Sequence, residues 1–150
     1  MAEHDIACAI NEGRMNAEVV LRTPEVIAFL DHRPVFKGHV LVCPIRHFDT
    51  LLDLPDDLVL PLIGTCRRIA AAMGPALGAQ GTFVAINNVV SQSVPHLHIH
   101  VVPRSKGDPL GRRLVERASH VRWSRTSTRL AKLHPIARER TLTRRGRTQP

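Results

Sequence analysis

Three histidines, His96, His98 and His100, alternate with Leu97, Ile99 and Val101 in the stretch Val94-Pro95-His96-Leu97-His98-Ile99-His100-Val101-Val102-Pro103-Arg104. An imidazole ordinarily titrates near pH 6.5, so it can take or give a proton at neutral pH. Its bare nitrogen can also attack phosphorus or an acyl carbon, or bind zinc. The alternation has period 2 and is rich in branched apolar residues, which predicts a half-buried strand. On a strand, alternate side chains share a face, so the three rings would stand together, neighbours about 7 Å apart along the chain. Leu97, Ile99 and Val101 would fill the opposite face and pack on the core. Two chemistries fit such a row. One ring could act as a nucleophile while a neighbour fixes its tautomer, or the rings could hold a metal ion. The reading without chemistry is a solvated strand face rich in histidine.

Other elements must hold this strand. Glu18-Val19-Val20-Leu21-Arg22 and Val26-Ile27-Ala28-Phe29-Leu30-Asp31 flank Thr23-Pro24-Glu25 and read as a hairpin. Val40 to Cys43 is a buried strand bounded by Gly38 and Pro44, and Gly81 to Asn88 is a further strand. Between them, Leu54-Pro55-Asp56-Asp57 is a helix start, with proline and acidic residues in the first turn. Leu58, Leu62, Cys66, Ile69, Met73 and Leu77 then recur at spacings of four and three, which draws one apolar helix face. Pro61 should kink this helix, and Gly74-Pro75 and Gly78 should end or fray it. Asp5 to Ile10 opens the chain and Asn11-Glu12-Gly13 reads as a turn.

The chain has 150 residues, 43% of them apolar, which favours one domain with a real core. No apolar run approaches the roughly 20 residues of a membrane span, and the acidic start Met1-Ala2-Glu3-His4-Asp5 lacks a signal-peptide layout. Three widely spaced cysteines, Cys8, Cys43 and Cys66, predict reduced thiols in the cytoplasm. The net charge of +8 is uneven: residues 1–110 carry 9 Lys/Arg against 11 Asp/Glu, and residues 111–150 carry 12 against 2. A domain over 1–110 followed by a poorly ordered basic tail over 111–150 is therefore expected, and any nucleic-acid contact is expected only through that tail.

Gln92-Ser93-Val94-Pro95-His96-Leu97-His98-Ile99-His100-Val101-Val102-Pro103-Arg104 resembles the signature of the histidine triad family of nucleotide hydrolases and transferases. The resemblance spans roughly residues 5–110. It implies an α+β fold, with an antiparallel sheet of about five strands under one long helix, usually in a symmetric homodimer. It also implies transfer of a nucleoside monophosphate, from a purine nucleotide derivative, through a covalent adduct on His98. His100 would hold the tautomer of His98, His96 and His39 would flank the phosphate, and Ser93 would help the leaving group. Asp31, in Phe29-Leu30-Asp31, matches the residue that accepts hydrogen bonds from ribose hydroxyls, and His32 would lie near the base. Asn87, with Asn88 as second choice, matches the polar residue of a phosphate-side loop about two residues shorter than in relatives, and Gln92 matches a nucleotide-binding residue just before the triad. Many relatives open with two cysteines three apart that bind zinc. Here Asp5 stands at the first position, which leaves Cys8, His47 and His96 as candidate ligands of a structural zinc, with no cofactor needed for the chemistry. A dinucleoside polyphosphate and a nucleoside phosphoramidate both fit as substrates, and Pro103-Arg104 leans toward the polyphosphates. The alternative is a non-catalytic nucleotide- or zinc-binding protein of the same fold.

Overall fold

The computed structural model describes residues 5–110, so the basic stretch 111–150 lies outside the described residues. The elements run α1 (Ile6–Asn11), β1 (Val19–Arg22), β2 (Val26–Leu30), β3 (Val40–Pro44), a short 3-10 turn (Leu51–Asp53), α2 (Asp56–Leu77), β4 (Gly81–Ile86) and β5 (Ile99–Arg104). The strands form one sheet in the order β1-β2-β3-β5-β4, and every neighbouring pair is antiparallel. This is the α+β architecture expected, a five-stranded antiparallel sheet with one long helix packed on it. No described helix is long and apolar enough to cross a membrane.

Strand alternation assigns the two faces of the sheet. Val26, Ala28, Val40, Val42, Ile99 and Val101 pack with Leu62, Cys66, Ile69 and Met73 of α2 in the main core. Ile27, Phe29 and Cys43 face the other way and pack with Ala7 and Ile10 of α1 in a smaller cluster. Burying one branched side chain of this size contributes about 1.5–3 kcal/mol, so the larger cluster fixes the strand registers. A slip of one residue would turn every apolar side chain to the wrong face.

Helix α2 starts after Pro55 with Asp56 and Asp57 in its first turn. Of the two stops the sequence offered, Gly74-Pro75 and Gly78, the second holds: the helix runs through both Pro61 and Pro75 to Leu77. Each proline removes one backbone donor, toward the carbonyls of Asp57 and Ala71, near the two ends of the helix. Burial of Leu62, Ile69 and Met73 between those ends offsets the loss. The stop comes at Gly78, which is left-handed (φ 70°) and donates its N–H to the Gly74 carbonyl at 2.9 Å. Leu77 in turn covers Gly38, a left-handed glycine (φ 90°) whose missing Cβ leaves room for that side chain.

Two further differences bear on the site. Residues 6–11, read only as an opening segment, form the helix α1, and the Asp5 carboxylate caps it by accepting the Cys8 N–H at 2.9 Å. The triad segment enters the sheet only at Ile99. The β3–β5 ladder ends at Val42 opposite Ile99, and Leu97 donates instead to the Phe48 carbonyl of a loop at 2.6 Å. His96 and His98 are therefore held ahead of the strand, by loop and side-chain bonds.

Candidate functional site

A cavity of about 1050 Å³ opens on the face of the sheet opposite α2. Ile6 and Ile10 of α1, Phe29 of β2 and Leu41 of β3 give it an apolar wall. Asp31, His32, Ser93, His98 and His100 supply polar groups. Both triad rings reach it because His98 and His100 alternate with Leu97, Ile99 and Val101, each at most 1% exposed in the core beneath.

His98 is 8% exposed, and its Nδ1 lies 2.7 Å from the carbonyl oxygen of His96. A carbonyl only accepts, so Nδ1 carries the hydrogen and Nε2 keeps its lone pair. The His100 ring meets His98 edge-on at 5.0 Å between centroids. Its Nδ1 lies 3.0 Å from Nε2 of His39, whose Nδ1 lies 3.2 Å from Oδ2 of Asp31. Burial, with His98 and His39 nearby, depresses the His100 pKa to about 4. Burial also lowers that of His39, with Asp31 pulling against it. Both rings are therefore neutral at pH 7.

The third triad histidine belongs to a different cluster. His96 is 1% exposed and does not line the cavity. Its Nδ1 lies 3.4 Å from Cys8 Sγ and 3.3 Å from Asp5 Oδ2, and its Nε2 meets the Pro44 carbonyl at 3.0 Å. His47 Nδ1 completes the group, 3.0 Å from Asp5 Oδ2 and 3.6 Å from Cys8 Sγ, while its Nε2 is held by Asp49 at 2.7 Å. Zinc bonds of 2.0–2.3 Å in a tetrahedron imply ligand-to-ligand edges of about 3.3–3.7 Å. The four donors lie within 4.8 Å of one another, with several edges close to that range. The set therefore fits zinc, and each histidine has an acceptor behind its other nitrogen, as zinc-bound imidazoles do. Burial and the adjoining Asp5 push the Cys8 thiol up to about 11, a state that a dication among these donors would reverse. Burial works to raise the pKa of Asp5, but its bonds to Cys8 and the nearby His96 hold it below the usual carboxylate range.

Not every residue singled out in the sequence lines this cavity. His96 does not flank the cavity, because Asp5, Cys8 and Pro44 engage both of its nitrogens. His39, 2% exposed, stands behind His100 and not on the cavity wall. Asn87 is exposed and outside the lining. Gln92 is also outside it: its amide donates to the Asp49 carbonyl at 2.5 Å and accepts from Val89 N–H at 2.9 Å, so it ties two loops together. Arg104 lies at the far end of β5 and does not line the cavity. Asp5 was missed as a candidate ligand because it was weighed only as the loss of a cysteine. Its signal was the cap position, three residues before Cys8, which aims one oxygen at the helix and leaves the other for the histidines.

The HIT domain family matches residues 12–107. A HIT-like protein of Methanocaldococcus jannaschii is 37% identical over 105 residues, covering 69% of this chain and 81% of that protein. The asymmetrical bis(5'-nucleosyl)-tetraphosphatase of Schizosaccharomyces pombe is 32% identical over 96 residues, 63% of this chain and 53% of that enzyme. Among solved structures, a zinc-bound histidine triad family protein from Mycobacterium smegmatis superposes with a TM-score of 0.69 at 36% identity, covering 73% of this chain and 81% of that one. The chain belongs to the histidine triad (HIT) family, which includes nucleotide hydrolases.

Proposed function

We propose that the chain is a nucleotidyl hydrolase or transferase that cleaves at the α-phosphate of a purine nucleotide derivative through an adduct on His98. The observation that carries the reading is the His98 ring beside the large cavity, with Nδ1 committed to the His96 carbonyl and Nε2 bare. A neutral nitrogen nucleophile suits an anionic phosphodiester, which repels charged ones. The Nε2 lone pair bonds to phosphorus and the leaving group departs with the electron pair of its own bond. Water then attacks the adduct, the P–N bond breaks and its pair returns to Nε2. Donors fixed at the developing charge are worth about 2.7–4 kcal/mol each.

In this reading the nucleoside lies along the apolar wall, with Asp31 accepting from ribose hydroxyls and His32 close to the base. Ser93 donates to the leaving group, and His100 stands on the phosphate side. Asn87 and Gln92 shape the neighbouring loops without touching the nucleotide. Zinc, when bound by Asp5, Cys8, His47 and His96, is structural: it cross-links α1, the segment after β3 and the approach to β5. The active form is a homodimer in the cytoplasm, a reading supported by the edge position of β4 with its exposed Val84 and by the three free cysteines.

The S. pombe relative favours a dinucleoside polyphosphate over a phosphoramidate. The test is to mix the protein with a diadenosine polyphosphate and, separately, an adenosine phosphoramidate, quench with acid or base, and map the adduct by mass spectrometry. Nucleotidyl mass on His98 is expected. Turnover with the adduct on another residue, or nucleotide binding without any turnover, rejects the mechanism, and the second outcome selects the non-catalytic alternative.

A further inference from the structure

One helix cannot cover this sheet. An α-helix is about 10–12 Å across with its side chains. Five strands about 4.8 Å apart span roughly 19 Å. Helix α2 packs chiefly on β3, β5 and β4, so the β1–β2 side of the same face stays open. A groove of about 430 Å³ lies there, on the face opposite the histidine-lined cavity. Val20, Leu21 and Leu30 form its strand wall, and Ile69, Met73 and Leu77 its helix wall. Val20, Leu30 and Leu77 remain 52%, 41% and 47% exposed.

The polar content of the groove is two cations, Lys37 and Arg68, and no carboxylate joins them. Neither forms an ion pair among the described residues. The Arg68 guanidinium donates to Thr65 Oγ1 at 3.2 Å, which leaves the rest of its fork for an acceptor. Lys37 adjoins Gly38, whose bare Cα receives Leu77, so it stands at the Leu77 end. Arg68 precedes Leu77 by nine residues of α2, about 13 Å along the helix axis. Everything else in the lining is aliphatic, with no aromatic ring, hydroxyl or amide.

This chemistry selects its ligand. The volume falls within the roughly 300–1,000 Å³ of small-molecule sites. An aromatic anion finds no ring to stack on, and a polar body finds no donor or acceptor along the walls. A cation is repelled at both ends. An aliphatic chain fits the walls, and an anionic head satisfies a cation that has no other partner. With C–C bonds of about 1.5 Å, a zigzag chain of about ten carbons spans the distance from Arg68 to Leu77.

We propose that this groove binds a single-chain anionic amphiphile, a fatty carboxylate whose chain lies between α2 and the β1–β2 strands and whose head pairs with Arg68 or Lys37. An Arg fork takes a carboxylate through two parallel hydrogen bonds, and a Lys takes it as a point charge. The site is separate from the nucleotide reading, which stands or falls without it.

The test titrates decanoate, below its micellar concentration, into the 15N-labelled full-length protein, with calorimetry for the affinity. Saturable one-site binding is expected, with amide shifts centred on Val20, Leu21, Ala72 and Ala76. From octanoate to dodecanoate the affinity should rise about two- to fourfold per methylene, as burial of each CH₂ requires. Decanol and decyltrimethylammonium should bind at least about tenfold more weakly, and Arg68→Gln combined with Lys37→Gln should lose a similar factor for decanoate. Ala76→Leu, at an exposed helix position, should block the chain while leaving the urea midpoint in place. The absence of saturable binding, equal affinity for decanol, or shifts centred on Phe29 and Leu41 of the opposite cavity overturns the proposal. So does a wild-type dimer that Ala76→Arg dissociates, or a cross-link from Lys37 into residues 111–150, since in either case protein already fills the groove.

Discussion

Oδ2 of Asp5 lies 3.3 Å from Nδ1 of His96, 91 residues away in the chain, while Oδ1 of the same carboxylate caps α1. One side chain thus ends a helix and joins a histidine of the triad to the N-terminal segment. This contact holds His96 away from the cavity and within the cluster of possible zinc ligands.

Removing Asp5 should therefore cost metal before it costs fold. Purified protein is expected to hold close to one zinc per chain by elemental analysis, and Asp5→Ala to hold far less, with Asp5→Cys restoring it. Zinc at 100 times its dissociation constant should stabilise the protein by about 2.7 kcal/mol. Thermal melts with and without a chelator measure this, and a melting temperature indifferent to both would contradict the cluster as a metal site.

His98→Ala should reduce kcat by at least about a thousandfold, because it removes the proposed nucleophile. Nucleotide affinity by calorimetry should change little. Loss of binding with preserved turnover of the bound fraction would place His98 among the binding groups instead.

Stability should fall on the acid side of neutrality. His100 has a folded pKa near 4, against about 6.5 unfolded, so the unfolded chain binds the extra proton between those values. Stability is then fully present above pH 6.5 and is lost as pH falls toward 4, by up to about 3 kcal/mol. His39, also lowered, acts in the same direction. Urea unfolding at pH 7.5 and pH 5, with chelator present, tests this. The pH difference should shrink in His100→Gln.

Ile99 is 0% exposed and lies between the two cavity histidines in sequence, on the opposite face of the sheet. Ile99→Ala should destabilise the protein by about 2–5 kcal/mol. Chemical denaturation gives the value, and a loss under about 1 kcal/mol would mean that the core closes over the gap.

Much of the fold follows from local pattern. The alternation around Ile99 and Val101 and the four-and-three spacing of Leu62, Cys66, Ile69 and Met73 state which faces must meet, because burial rewards a period whatever lies elsewhere in the chain. The same alternation put His98 and His100 on a shared face, as found. Helix α1 was not read, since six residues give too short a period, and only the Asp5 cap marked its start. Of the two stops read for α2, Gly78 ends it and Gly74-Pro75 does not, because core packing, which lies outside the local sequence, outweighed a local breaker.

What tertiary structure alone decided is how the histidines are divided. The sequence supplied a row of equal rings, and the fold gave each a different neighbour. Asp5, Cys8 and His47 reach His96, the His96 carbonyl holds His98, and His39 backs His100 from 61 residues away. The role of a ring depends on which groups approach its two nitrogens and how far it is desolvated. Both are properties of contacts between distant segments, and no local pattern records them.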